Sequence, residues 1–233
     1  MQVNYENGIL NYYLPLPYQT PKNLNMSEQK QLGRPKGSTG EDTLAKIMPA
    51  ARQLFADKGY AQTTFKDVGK AVGVSHAAIY SYFPSKKELY LASIAQTQEV
   101  LIPYFIDAFT KGKNLKERIR YALMAVAREH DKDSSITAFL VAVPIEIRRH
   151  QELSDALTEG GNPIMQALEE LFEQAKLSGE IVMDVPVDNL IGAILGGGIG
   201  VSLLQYGLHK PDLTSTMEIF VSMIEGRLFA SST

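Results

Sequence analysis

Cysteine is absent from the sequence, and that absence closes several chemistries together. Disulfide scaffolds, thiolate zinc sites, iron–sulfur clusters and cysteine nucleophiles are excluded, and a signal carried by thiol redox is not expected. The same lack fits a reducing interior, so the expected location is the cytoplasm. Catalytic signatures are missing as well: there is no Gly-x-Ser-x-Gly elbow and no P-loop. Gly196-Gly197-Gly198-Ile199-Gly200 superficially looks like a dinucleotide loop, but it lies in a helical run, follows no strand and lacks a third glycine at the required step. The histidines are scattered at 76, 130, 150 and 209; Glu146 and His150 share a helix face, but two ligands do not make a metal site. The expectation is a protein that is not an enzyme, with no metal and no cofactor. Residues 1–25 lack the basic start, long apolar run and small-residue cleavage site of a secretory signal. No stretch alternates apolar and polar residues convincingly enough for a sheet, so the expected class is all-α.

What remains is substantial. A chain of 233 residues that is 45% hydrophobic and 21% charged can bury a real core, in one large domain or two modest ones. The net charge of -3 points away from nucleic acid when taken as an average. Divided along the chain it reads differently: residues 26–90 carry ten Lys/Arg against six acids, whereas residues 91–233 carry twelve against nineteen. A basic N-terminal segment attached to an acidic remainder points to nucleic acid or an acidic membrane surface at the basic end.

Three regions follow from the pattern. Residues 1–40 read as an irregular extension, rich in Pro, Tyr and Asn, in which Met26-Ser27-Glu28 could be the natural start. The extension ends in a flexible basic arm around Arg34 and Lys36, where glycines and a proline forbid a helix. Residues 41–90 carry a helix–turn–helix pattern, and residues 91–233 form a larger helical domain. From Asp42 apolar residues recur at three- and four-residue steps through Leu44, Ile47, Ala51, Leu54 and Phe55, with Gly59 as a stop. Pro49 lies inside this run, so the first helix is expected to kink there or to start later. Further helical segments are expected over about 85–109, 115–130, 135–158, 163–177, 187–208 and 212–229, and Pro144 is expected to kink the third of these.

The strongest local signal lies at residues 63–83. Thr63 or Thr64 can cap a short helix through Phe65, Val68 and Val72; Gly73 turns the chain; Ser75 caps a second helix, expected to run to Phe83 before Pro84 stops it. Two short helices joined by a glycine turn form the unit that places its second helix in the DNA major groove. Spacing puts Ile79 and Phe83 on the inward face and His76 and Tyr80 on another, with Ala77 nearby. Ala77 lets the helix approach base edges, His76 can bond a base or phosphate, and the Tyr80 and Tyr82 hydroxyls suit phosphate oxygens.

The run Gly73-Val74-Ser75-His76-Ala77-Ala78-Ile79-Tyr80-Ser81-Tyr82-Phe83-Pro84-Ser85-Lys86-Lys87-Glu88-Leu89, preceded by Ala51-Arg52-Gln53-Leu54-Phe55-Ala56-Asp57-Lys58-Gly59-Tyr60 and Thr63-Thr64, resembles the DNA-binding domain of the tetracycline-repressor (TetR) family. The resemblance covers about residues 43–90, and Tyr-x-Tyr-Phe-x-Ser-Lys is its specific signature. It implies a three-helix DNA-binding domain followed by a divergent helical domain that binds a ligand and dimerises through its last two helices. By position, Thr64 resembles a phosphate contact; Ser75, His76, Ala77 and Tyr80 resemble recognition-helix contacts; Tyr82 resembles a backbone contact; and Lys86 resembles the phosphate-binding lysine. Arg34 and Lys36 resemble basic arms laid into the minor groove. Pro49 in the first helix, Ala77 where glycine is frequent and Lys87 in place of a common acid depart from the family pattern.

Residues 189–208 carry no charge, and Gly192, Gly196 and Gly200 form two overlapping small-x-x-x-small steps. A membrane helix is one reading. Asn189, Ser202, Gln205, Tyr206 and an acidic flank favour a buried helix of a soluble protein instead. The resemblance makes it the penultimate helix of a dimer interface, with Ile219, Met223 and Phe220 supplied by the last helix. It also implies a ligand cavity among the middle helices. Phe105, Phe109, Met124, Phe139, Met165 and Phe172 have suitable character for its lining, as does Tyr104, with Arg128, Glu146 or His150 as polar partners. An apolar or amphipathic small molecule is the expected effector. The function expected is a homodimeric regulator, most simply a repressor, that binds a palindromic operator in double-stranded DNA and is released by a small molecule, with no membrane partner. The competing reading is a helical small-molecule-binding or membrane-associated protein that does not act on DNA.

Overall fold

The computed structural model describes residues 40–160, 163–208 and 212–229, so the Arg34 and Lys36 arm lies outside the described residues. Ten helices and no strand occur among them: α1 (Gly40–Gln62), α2 (Phe65–Val72), α3 (His76–Tyr80), α4 (Lys86–Lys111), α5 (Leu115–Lys132), α6 (Ser134–Arg149), α7 (Gln151–Gly160), α8 (Pro163–Leu177), α9 (Val187–Gly207) and α10 (Leu213–Ile224).

The start of the chain's helical part differs from the expectation. α1 runs through Pro49 without interruption and breaks at Gly59, where φ 77 and ψ 168 suit a residue without Cβ. Ile47, Met48, Ala51 and Phe55 are all buried around Pro49. Burial of Ile47, Met48 and Phe55 is worth about 1.5–3 kcal/mol each, which together outweighs the local cost of about 3 kcal/mol for proline in a helix. The expected single segment at 135–158 is two helices, and the break is at His150 (φ -125, ψ 99) rather than Pro144. The His150 carbonyl accepts the Leu153 and Ser154 N–H groups and so starts α7, whose Leu153 is then fully buried.

Side chains divide into two cores. The first gathers Ile47, Ala51, Phe55, Tyr60, Phe65, Val68, Ile79, Phe83, Leu89 and Tyr90 from α1–α4, and it is completed by Phe139 of α6 and Leu153 of α7. The second gathers Leu115, Ile119, Leu123, Phe172, Val187, Ile191, Leu213, Met217 and Val221 from α5 and α8–α10. Aromatic rings knit the first core: Tyr90 lies edge-on to Phe55, Tyr60 and Phe139, with centroids 4.8, 5.2 and 5.1 Å apart. Beside it, Arg52 of α1 is buried and fully engaged. Its guanidinium donates to Ser135 Oγ at 3.1 Å, to Asp133 and to Gln96. Burial opposes ionisation of Asp133, but the Ser135 hydroxyl and the Arg52 charge hold its carboxyl below the usual range.

α9 is long and apolar enough to cross a membrane by length and composition, and among the described residues only one side of it is buried. Val187, Ile191, Gly198, Ser202 and Gln205 face inward, while Ile199, Leu203 and Leu204 are exposed. The glycines divide in the same way. A Cβ on Gly197 would collide with the Phe220 ring and one on Gly198 would approach Leu123, whereas Gly192, Gly196 and Gly200 face open space. Phe220 therefore packs within its own chain, while Ile219 and Met223 are half exposed on α10.

Removing the ring that joins α6 to the first core tests this packing. Phe139→Ala should lower unfolding stability by about 3–5 kcal/mol, measured by urea denaturation. A loss under about 1 kcal/mol would contradict the shared core.

Candidate nucleic-acid interface

The turn between α2 and α3 is fixed by two caps and one glycine. Thr64 closes a capping box: its Oγ1 accepts the Asp67 N–H at 3.2 Å, while Asp67 Oδ2 accepts the Thr64 N–H at 3.0 Å and the Thr64 hydroxyl at 2.6 Å. Thr63 is buried instead, with its hydroxyl 2.8 Å from the Gly59 carbonyl. α2 then buries Phe65, Val68 and Gly69. Gly73 follows at φ 75, which lets the Val74 N–H return to the Gly69 carbonyl at 2.9 Å. Ser75 starts α3, its Oγ accepting the Ala78 N–H at 3.2 Å.

α3 is shorter than the spacing predicts. It ends at Tyr80, and Ser81, Tyr82 and Phe83 continue as a tight turn whose N–H groups bond the Ala78 and Ile79 carbonyls. The expected faces nevertheless form. Ile79 and Phe83 are buried, whereas Ser75, His76, Ala77 and Tyr80 are exposed together on the opposite side. Tyr80 leans edge-on against Phe65 with centroids 4.6 Å apart, which limits where its hydroxyl can reach. Small, exposed Ala77 leaves room for a base edge beside His76.

The other expected contacts are engaged within the chain. The Thr64 hydroxyl donates to Asp67, so it would have to leave that carboxylate to donate to a phosphate. Tyr82 is half-buried against the first core. Lys86, in the first turn of α4, donates to the Ala61 carbonyl at 2.9 Å and lies 4.6 Å above the Tyr60 ring. That anchorage holds its ammonium in one place while two N–H donors remain. Lys66 and Lys70 are exposed at i,i+4 on α2, the helix that crosses the backbone in this motif. The sequence signature lies on α3 and does not single them out; their four-residue spacing on the polar face of α2 is the signal that marks them.

The six residues expected to line a ligand cavity do not converge. Met124, Met165 and Phe172 meet in the second core. Phe139 belongs to the first core, against Phe55 and Tyr90. Phe105 and Phe109 stack on each other, 6.4 Å between centroids. A cleft of about 550 Å³ lies elsewhere, between α1, α6 and α9, and its walls include Phe55, Gly59, Val141, Ile145, Glu146 and Leu203. Glu146 and His150 do meet there: the buried Glu146 carboxylate lies 3.2 Å from His150 Nε2 and accepts the Tyr60 N–H at 3.0 Å. This pair ties α6 to α1. Among the described residues no group of three or more His, Cys, Asp or Glu side chains is arranged to hold a metal ion.

The capping box has a measurable signature. The Lys58 ammonium at 2.9 Å, followed by the Thr64 hydroxyl and N–H, holds the Asp67 carboxyl at about 2 against an ordinary 3.8. A depressed carboxyl contributes stability that is present above 3.8 and is lost as pH falls through about 2. An NMR titration should find the Asp67 midpoint near 2; a midpoint at the ordinary carboxylate value would contradict the capping geometry.

Comparison with known proteins agrees with this geometry. Residues 47–93, which span most of α1, all of α2 and α3, and the start of α4, match the family model described as bacterial regulatory proteins, tetR family. Over 162 residues the chain is 27% identical to the nucleoid occlusion factor SlmA of Vibrio cholerae serotype O1, covering 69% of this chain and 81% of that protein. Two solved structures share the fold. The fatty acid degradation regulator FadR from Bacillus halodurans superposes with TM-score 0.65 at 19% identity, over 80% of this chain and 96% of that one. FadR from Bacillus subtilis in complex with stearoyl-CoA gives TM-score 0.63 at 18% identity, over 80% of this chain and 100% of that one. The paired caps, the glycine turn and the exposed face of α3 all lie within the matched segment, so residues 47–93 form a tetR-type helix–turn–helix unit of the kind found in bacterial regulatory proteins.

Proposed function

We propose that this regulator is a homodimeric repressor that binds a palindromic operator and is released by an apolar or amphipathic small molecule. The observation that carries the reading is the pairing of two open faces on one chain. One is the polar face of α3, with Ser75, His76, Ala77 and Tyr80 held outward by the buried Ile79 and Phe83. The other is the apolar face of α9 and α10, with Gly192, Gly196 and Gly200 open and Leu203, Leu204, Ile219 and Met223 half or more exposed. A two-fold pairing of the second face buries it and presents two copies of the first, as a palindrome requires.

In this reading His76 and Ala77 meet base edges, and Tyr80, Tyr82, Thr64 and Lys86 fix the register on phosphates. Lys66 and Lys70 add charge alongside them. Occupation of operator DNA blocks transcription by exclusion. The effector acts by favouring a domain arrangement that separates the heads unsuitably. Met124, Met165 and Phe172, together in the second core, remain the most suitable effector-side residues of the original six. The exposure of α9 also bears on the membrane alternative, since a partner helix satisfies the same apolar face that a bilayer would.

Selection from random-sequence DNA should return a palindrome. Binding to it should weaken by about 10³-fold between 50 and 200 mM salt, and Lys86→Ala should reduce the slope by about one. Salt-independent binding would remove the DNA reading. Sedimentation of the purified protein should give a dimer, and Ile219→Glu with Met223→Glu should give a monomer that remains in solution. A double variant that sediments as the wild type would remove this face as the interface.

A further inference from the structure

Three groups of side chains on α1 attach the reading head to the rest of the chain. Arg52 bonds α4 and the start of α6, and Tyr60 bonds Glu146 of α6 and Glu152 of α7. The third attachment leads to α9. The Tyr206 hydroxyl donates to Asp57 Oδ1 and accepts from Gln53 Nε2 at 3.4 Å, while Gln53 Nε2 itself donates to the same Asp57 oxygen at 2.9 Å. These three side chains close a triangle between α9 and α1.

The placement of Tyr206 gives the triangle a function. At about 100° per residue it lies about 80° around the helix from Gly196, the middle of the open glycine face, and about 120° from Gly200. The edge of α9 beside the face offered to the proposed two-fold partner therefore carries the contact to the reading head. On α1, Asp57 is two residues beyond Phe55, whose fully buried ring shares the first core with Ile79 of α3. Tyr206 thus bonds α9 to α1, and packing joins α1 to α3. Burial and the Asp57 carboxylate raise the Tyr206 phenol to about 12, so it keeps its proton and remains a donor at neutral pH.

We propose that Tyr206 is a positioning residue for operator spacing: through Asp57 and Gln53 it fixes the separation of the two reading heads relative to the dimer helix. The inference rests on the homodimer proposed above. It separates two properties that are otherwise coupled, the affinity of one head for its half-site and the tolerance of the dimer for half-site spacing. Tyr206 serves only the second.

The test uses the full chain and three duplexes: the palindrome returned by random-DNA selection, the same palindrome with one base pair added at its centre, and a single half-site. Tyr206→Phe removes the hydroxyl and keeps the ring. It should reduce the affinity ratio between the selected and the lengthened palindrome by about fivefold, the scale of one hydrogen bond. Half-site affinity and the thermal midpoint should stay at wild-type values. Asp57→Asn should act in the same direction, and the double variant should lose no more than the stronger single one. A wild-type spacing ratio in both single variants would overturn the proposal, as would an equal loss on half-site and palindrome. A wild-type protein that is monomeric, or that shows no spacing preference, would overturn the homodimer reading and this inference with it.

Discussion

The contact on which the structure most depends is the burial of Phe139 against Phe55 and Tyr90. One long helix, two short ones and the first turns of a fourth have too little apolar surface to hold a reading head rigidly. α6 supplies the missing ring, and α7 supplies Leu153 beneath it. The head is thereby continuous in packing with α6 and α7, while α5 and α8–α10 surround a separate core. Arg52 reinforces the junction because a buried guanidinium is tolerated only when it is paired, and here Asp133 supplies the opposite charge while Ser135 and Gln96 accept from its other two nitrogens. Any signal reaching α3 from the second core must cross between these two packed bodies.

Exposure follows the same division. The first core is closed on the side of α6, so its outward face is the polar surface of α2 and α3. The second core is closed by α5 and α8, leaving an apolar stripe of α9 and α10 that no described residue covers. Gly197 and Gly198 allow close packing inside the protomer, while Gly192, Gly196 and Gly200 keep the other side of α9 thin. A thin, uncharged face lets the backbone of a second helix approach closely. The acidic excess of residues 91–233 also keeps this part away from phosphates while the basic segment approaches them.

Local features were the legible ones. The helix–turn–helix unit, its caps at Thr64 and Ser75, the turn at Gly73 and the inward positions Ile79 and Phe83 all follow from short-range rules about caps, glycine and period. The length of α3 did not follow, because the turn after Tyr80 keeps Phe83 buried without regular helix, and periodicity alone does not distinguish the two. Pro49 gave a strong local signal that tertiary burial overrode. Phe139 showed only an apolar character, which fits a ligand wall as well as a core; its actual neighbours lie more than forty residues away in sequence. Arg52–Asp133 and Tyr206–Asp57 have no local signature at all. α9 is apolar on all sides, which ordinarily marks a buried helix, and its pattern does not distinguish the side packed on the second core from the side that no described residue covers.

The central claim is that one rigid head per protomer, held by α6, presents α3 to the major groove of a two-fold site. Hydroxyl-radical footprinting of the protein on its selected duplex addresses it most directly. The account predicts two symmetric patches of protected sugars on one face of the duplex, separated by about one helical turn or a simple multiple of it. A single protected patch, or protection spread evenly along both strands, would contradict it.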